Sequence, residues 1–346
     1  MSKSSLLSRR AFSAMVAAGG LAAPFAARHA RAQSPRNVTF LLDVPAYSKH
    51  ALFYPAIDNG YFAKRGLEVT FGSAKGSADA AQRLVSKAAD FAFIDAGVAV
   101  LARGKGLPLK LTSMVAYKNM MSLVGFGDPP VTRPKDLEGR KIAAAPGDSV
   151  RTGFIAISKP NGVDLGKVEW VTTDSTNKRT LLFSGKVGAT CDYAVNFPVY
   201  EKGAAKLGKK VSQILLADFG LDIYSNGVTT RDDVIKSDPE LVKNFNDALV
   251  ESMVFSIDNR DEAVRIFLKH NPQFDPELTR QGLDVAIAHL MVPEVAKHGI
   301  GPMEPAKMAK TIEAMKAHFG LAAEVKPADI FTNDYVTSGH KPTKAA

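Results

Sequence analysis

Between residues 38 and 216 the sequence alternates short apolar runs with segments of helical period, and this rhythm admits few folds besides a largely parallel sheet flanked by helices. Residues 38–42, 67–71, 91–94 and 109–115 read as strands, with helices over 77–88 and 97–103 between them. After the turn Gly127-Asp128-Pro129-Pro130 the rhythm resumes, with strands at 141–145, 168–172, 188–195 and 211–216 and helices at 150–158, 176–184 and 198–207. Residues 223–229 read as a strand returning to the first unit, and the remainder is helical. Asp238-Pro239-Glu240 and Asp275-Pro276-Glu277 each place a capping aspartate before proline at the first helical position, and 307–318 forms a last helix. The expectation is an α/β chain of two lobes. Lobe 1 comprises residues 33–127 plus 223–335 and lobe 2 comprises 128–222. A flexible tail covers 336–346, and two crossings, near 125–130 and 218–224, make a hinge natural.

Residues 1–32 stand apart. Ser8-Arg9-Arg10-Ala11-Phe12 supplies a twin-arginine region, 11–27 a weakly apolar stretch broken by Gly19-Gly20, and Ala30-Arg31-Ala32 a small-residue cleavage site. This predicts an export signal rather than a span, because the apolar run is shorter than the roughly 20 residues a bilayer needs. The signal holds five basic residues (Lys3, Arg9, Arg10, Arg28, Arg31) and no acidic ones, so a formal charge of +9 becomes +4 without it. With lysines and arginines scattered, no track for a nucleic-acid backbone is present. The single cysteine, Cys191, permits no internal disulfide, and none near the cleavage site could carry a lipid. Cys191 and Trp170 both read as core.

In a parallel-rich sheet, ligands sit at the carboxyl ends of the strands. Three polar sites fall there in the first unit: the loop 43–50, Gly76 to Asp79, and Asp95-Ala96-Gly97. The first contains Asp43, Tyr47, Ser48 and His50 between an apolar strand end and a helical segment, a composition no core would choose. His50 reads equally as a ligand group and as an imidazole satisfying loop carbonyls. In the second unit, Gly147-Asp148-Ser149 opens a helix, either as a polar ligand site or as a simple cap. Gly147-Asp148-Ser149-Val150-Arg151 lacks the second glycine of a nucleophile elbow. No two histidines stand at metal-pair spacing, and neither a phosphate-loop nor a dinucleotide fingerprint occurs. No metal, cofactor or catalytic constellation is expected.

The opening stretch, with Leu41-Leu42-Asp43, His50, Gly60-Tyr61-Phe62 and Gly66-Leu67-Glu68-Val69, resembles a periplasmic-binding-protein family. That family includes thiamine-pyrimidine, riboflavin, nitrate, taurine and alkanesulfonate binders of ABC importers. The resemblance extends through Lys87-Ala88-Ala89-Asp90-Phe91 with Asp95-Ala96, Asp136-Leu137-Glu138-Gly139-Arg140-Lys141-Ile142 and Ser237-Asp238-Pro239-Glu240-Leu241-Val242. It implies the two-lobed, type II-like fold with its cleft between lobes, and a non-enzymatic role. The pattern is similar to the thiamine-pyrimidine branch, in which a histidine matches His50 and a tyrosine with a following asparagine matches Tyr193 and Asn196. Asp43-Val44 departs from the asparagine-tryptophan of that branch. Eukaryotic pyrimidine synthases of the branch carry a cysteine-rich segment where residues 218–222 here read Asp-Phe-Gly-Leu-Asp.

The resemblance thus implies a periplasmic, monomeric binder that is not lipid-anchored. It would capture a small polar solute, best a thiamine-pyrimidine-like heterocycle and alternatively nitrate, a sulfonate, taurine or an aromatic acid. The solute would pass to an ABC permease and ATPase complex; a sensing module without a transporter is the other reading. Asp43, Tyr47, His50, Ser77 and Asp95 would contact it from one lobe, and Ser149, Thr152, Tyr193 and Asn196 from the other. Whether Lys49 neutralises Asp43 decides if the cleft welcomes an amine or ring N–H.

Overall fold

Two five-stranded sheets carry the architecture of the computed structural model, which describes residues 34–174, 177–337 and 339–343. The segment read as an export signal lies outside the described residues. The strands are β1 Arg36–Leu42, β2 Leu67–Ser73, β3 Phe91–Asp95, β4 Leu109–Met114, β5 Met121–Phe126, β6 Lys141–Ala144, β7 Glu169–Thr172, β8 Ala189–Tyr193, β9 Val211–Leu215 and β10 Asn226–Arg231. The first sheet runs β2-β1-β3-β10-β4 and the second β7-β6-β8-β5-β9. In each, three parallel strands are followed by one antiparallel strand, β10 in the first and β5 in the second.

Both antiparallel strands are fed by a crossing between sheets. The chain leaves β4 and enters β5 over residues 115–120, and returns from β9 to β10 over residues 216–225. The second crossing falls where the sequence placed it. The first lies earlier than the Gly127-Asp128-Pro129-Pro130 turn, which instead ends β5. The two crossings are bonded to each other: Ala116 N donates to Asn226 O at 2.9 Å, Ser225 N to Ala116 O at 3.1 Å, and Lys118 pairs with Asp218 at 2.6 Å.

Apolar burial explains why the strands form where they do. Phe40 of β1 has no exposure and meets Phe53, Phe71 and Phe245 edge-on at 5.6, 5.5 and 5.3 Å. Phe245, on the helix Pro239–Asp258, stacks on Phe91 of β3 with centroids 4.0 Å apart. One ring thus ties the longest helix to two neighbouring strands. The second sheet has its own smaller core around Val124, Ala143, Leu182 and Tyr200. The remainder read as helical includes the helix Arg260–His270, for which the sequence offered no bounds. The sequence reading took the chain end for a flexible tail, whereas Val336 is buried, Thr337 N donates to Asp247 at 3.0 Å and Ile300 N to His340 O at 2.9 Å.

Phe245→Ala removes a ring from the centre of this cluster and leaves a cavity. It is expected to lower the unfolding free energy by about 3–5 kcal/mol, read from the urea midpoint at unchanged slope.

Candidate functional site

The carboxyl ends of the parallel strands of both sheets converge on a cavity of about 520 Å³. From the first sheet, the loop after β1 contributes Asp43, Val44, Tyr47, Ser48 and Lys49, the helix Ser77–Val85 contributes Ser77, and β3 ends in Asp95. The loop is organised by charge. Lys49 Nζ donates to Asp43 Oδ2 at 2.6 Å, His50 Nε2 meets Asp43 Oδ1 at 2.9 Å, and Asn226 of β10 reaches Asp43 Oδ2 at 3.3 Å. Burial works to raise the Asp43 pKa, yet Lys49 and His50 hold it well below the usual carboxylate range. Lys49 also lies 5.2 Å from the Tyr47 ring centre and 5.1 Å from that of Phe93, so two ring faces flank this buried ammonium beside its carboxylate.

Asp95 caps the helix Ala96–Gly104, with Oδ1 accepting from Gly97 N at 2.9 Å and Val98 N at 3.3 Å. Burial pushes its carboxyl up to about 6 against the pull of those two N–H groups. Ser77 Oγ accepts from Asp95 N at 3.1 Å, which leaves its hydroxyl proton free to donate. From the second sheet, Tyr193 ends β8 and Asn196 follows it. Asn196 Nδ2 donates to the buried Asp192 at 2.8 Å, a carboxylate also held by Tyr200 Oη at 2.5 Å. Asn196 therefore presents a fixed amide.

A third wall comes from the start of the helix Pro276–Leu290, through Phe274, Asp275, Leu278 and Thr279. Gly282 in this helix lets it approach the loop after β1, since a Cβ there would stand 2.1 Å from Ser48 Oγ. Asp275 Oδ2 accepts from Lys202 of the helix Phe197–Ala205 at 2.8 Å, which ties this wall to that helix. The sequence marked Asp275 only as a cap and Asn226 only as strand.

Residues 47–263, more than half of the chain, match the model of a family described as NMT1/THI5 like. The chain belongs to the NMT1/THI5-like family. It is 27% identical over 326 residues to the riboflavin-binding protein RibY of Chloroflexus aurantiacus, covering 92% of this chain and 91% of that one. It is 23% identical over 302 residues to the formylaminopyrimidine-binding protein of Halalkalibacterium halodurans, covering 86% and 90%. The periplasmic aliphatic sulphonate binding protein SsuA of Escherichia coli superposes with a TM-score of 0.68 at 12% identity, covering 90% and 97%. That superposition establishes the periplasmic-binding-protein fold.

Of the residues singled out from the sequence of this NMT1/THI5-like chain, Asp43, Tyr47, Ser77, Asp95, Tyr193 and Asn196 line the cavity together. Ser149 and Thr152 line an adjoining chamber that shares Ser77, Asp95 and Tyr193 with the first. Asp148 caps the helix Ser149–Ser158 through Val150 N at 3.0 Å and pairs with Lys178 at 3.2 Å, as the simpler reading of that turn had it. His50 lines neither space. It is fully buried, with Nδ1 accepting from Tyr47 N at 3.1 Å, and so supports the loop rather than facing a solute. Cys191 is buried, and Trp170 is half-buried beneath the Arg151 guanidinium at 4.5 Å, outside the cavity.

His50→Asn is expected to destabilise the unliganded protein by about 1–3 kcal/mol, because Asp43 and Tyr47 N lose a buried partner. Burial holds the folded-state imidazole pKa below its ordinary 6.5. As pH falls through 6.5 the unfolded chain takes up the proton first, so the His50 contribution to stability shrinks on acidification. Urea titrations at pH 7.5 and 5.5 should therefore show a smaller variant-to-wild-type gap at the lower pH; a gap that widens would contradict this placement.

Proposed function

We propose that this chain is the solute-capturing component of an ABC importer, a binder rather than an enzyme. Each sheet with its helices acts as a lobe, and the lobes close on a small neutral heterocycle. The observation that carries this reading is the cavity itself, built from strand ends of both sheets and walled by the helix Pro276–Leu290. Export by the twin-arginine segment, a periplasmic place of work, a monomeric state without a lipid anchor and hand-over to a permease and ATPase complex belong to the same reading.

The charge of the lining favours a heterocycle over an anion. Asp43, Asp95 and Asp275 carry carboxyl groups into it, and its one cation among the described residues, Lys49, is already bound to Asp43. A nitrate or sulfonate would meet the carboxyl of Asp95 and no free positive charge, since Lys49 is bound to Asp43 and Lys202 to Asp275. A ring bearing N–H or amino groups fits better. The second oxygen of Asp95 and the carbonyl of Asn196 can accept from it, the Ser77 hydroxyl can donate, and Tyr47 and Tyr193 offer aromatic faces. The names of the riboflavin- and formylaminopyrimidine-binding relatives support the same choice.

A thermal-shift panel tests this. A ligand at 100 times its dissociation constant stabilises by roughly 2.7 kcal/mol, and riboflavin or an aminopyrimidine is expected to raise the melting temperature where nitrate, taurine and alkanesulfonates do not. The reverse pattern sinks the heterocycle reading. Tyr193 is 40% exposed. Tyr193→Ala should accordingly weaken binding of the shifting ligand at least tenfold while the unliganded melt moves little; calorimetric titration beside the melt separates the two effects.

A further inference from the structure

Asn196 stands immediately before the helix Phe197–Ala205, where an asparagine side chain ordinarily accepts from the second or third N–H of the helix. It makes no such bond. Pro198 has no N–H to offer at the second position, and the Asn196 side chain turns the other way, donating from Nδ2 to Asp192 Oδ1 at 2.8 Å. Asp192 is buried and lines neither space between the sheets.

The Asp192 carboxylate is held from several directions. Oδ1 also accepts from Tyr193 N at 2.7 Å, and Oδ2 accepts from the buried Tyr200 hydroxyl at 2.5 Å. Burial and the neighbouring negative charge push the Tyr200 pKa well above its ordinary value, so that hydroxyl keeps its proton and donates. The main-chain oxygen of Asp192 receives Ser122 Oγ of β5 at 3.0 Å, and Ser122 in turn receives Gln213 of β9 at 3.1 Å. Three donors thus converge on a group that, when ionised, only accepts. Turning the Asn196 amide over would set its carbonyl against that carboxylate, acceptor on acceptor, with no proton between them. The amide is left with its carbonyl toward the cavity, and the charge behind it strengthens that oxygen as an acceptor.

We propose that Asp192, from outside the cavity, is the positioning residue that makes the Asn196 wall an acceptor and so selects solutes bearing a hydrogen-bond donor at that point. This rests on the solute-capture reading above and adds to it a residue that sets specificity without touching the solute. Tyr200 anchors Asp192 but does not set the polarity of the amide, which separates the two roles. Asp192→Asn removes the charge that opposes the flipped amide, whereas Tyr200→Phe takes one hydrogen bond from the same carboxylate and leaves its charge in place.

The first readout needs no solute. In the full mature chain carrying isotopically labelled asparagine, the Asn196 side-chain NH2 resonances are identified by their loss in Asn196→Ala. One of the two protons is expected to exchange slowly with water in the wild type and in Tyr200→Phe, and rapidly in Asp192→Asn; unchanged resonances in Asp192→Asn overturn the proposal. The second readout is calorimetric, with two matched pairs that each differ in one ring donor: riboflavin against 3-methylriboflavin, and 4-amino-5-hydroxymethyl-2-methylpyrimidine against its 4-methoxy counterpart. For a pair that binds, the donor-bearing member should be favoured about tenfold or more by the wild type and by Tyr200→Phe, and less than about threefold by Asp192→Asn. Equal weakening of both members in Asp192→Asn, with their ratio kept, overturns the positioning role and leaves Asp192 a structural group. If no probe binds, the heterocycle reading falls, and the amide resonances alone decide whether Asp192 sets this wall.

Discussion

A lysine ammonium buried against an aspartate holds the cleft in shape. Burying either charge alone would cost several kcal/mol, and the loop after β1 avoids this by giving Asp43 three partners: Lys49, His50 and Asn226. The Tyr47 and Phe93 rings complete the shell of the ammonium. Tyr47 thereby acquires a fixed position at the cavity wall without the support of a regular element. The same arrangement consumes the only positive charge that lines the cavity among the described residues, so the architecture of the loop and the charge of the acceptable solute have one cause.

Much of the fold was legible because buried parallel strands are written as largely apolar runs, and β1, β3 and β6 read this way. The strand β5 was missed for a local reason. Its sequence, Met-Ser-Leu-Val-Gly-Phe, carries a glycine at its fifth position, where Val131 packs so closely that a Cβ would stand 2.4 Å from it. The proline turn that follows looked like a linker, although it ends a strand. The chain end looked like a tail because its anchors, Asp247 and Asp258 on the helix Pro239–Asp258, are some ninety residues distant in sequence.

At the site, topology was a better guide than residue type. Loops at the carboxyl ends of strands led to Asp43, Tyr47, Ser77 and Asp95 because any parallel sheet exposes those ends to a crevice. His50 was ambiguous in sequence because an imidazole serves a ligand and a loop with the same two nitrogens, and only burial separates the roles. The wall from Phe274 to Thr279 had no signature, since an aspartate–proline helix start looks the same at a cavity as anywhere else.

Asn226 is the first residue of β10, immediately past the second crossing, and its side chain ends on Asp43. Its main-chain oxygen receives Ala116 N from the first crossing. A single residue is thus joined to both connectors and to the wall of the binding space. A twist of the connectors would thus reach the group that orders the cavity through the amide and carbonyl of one residue.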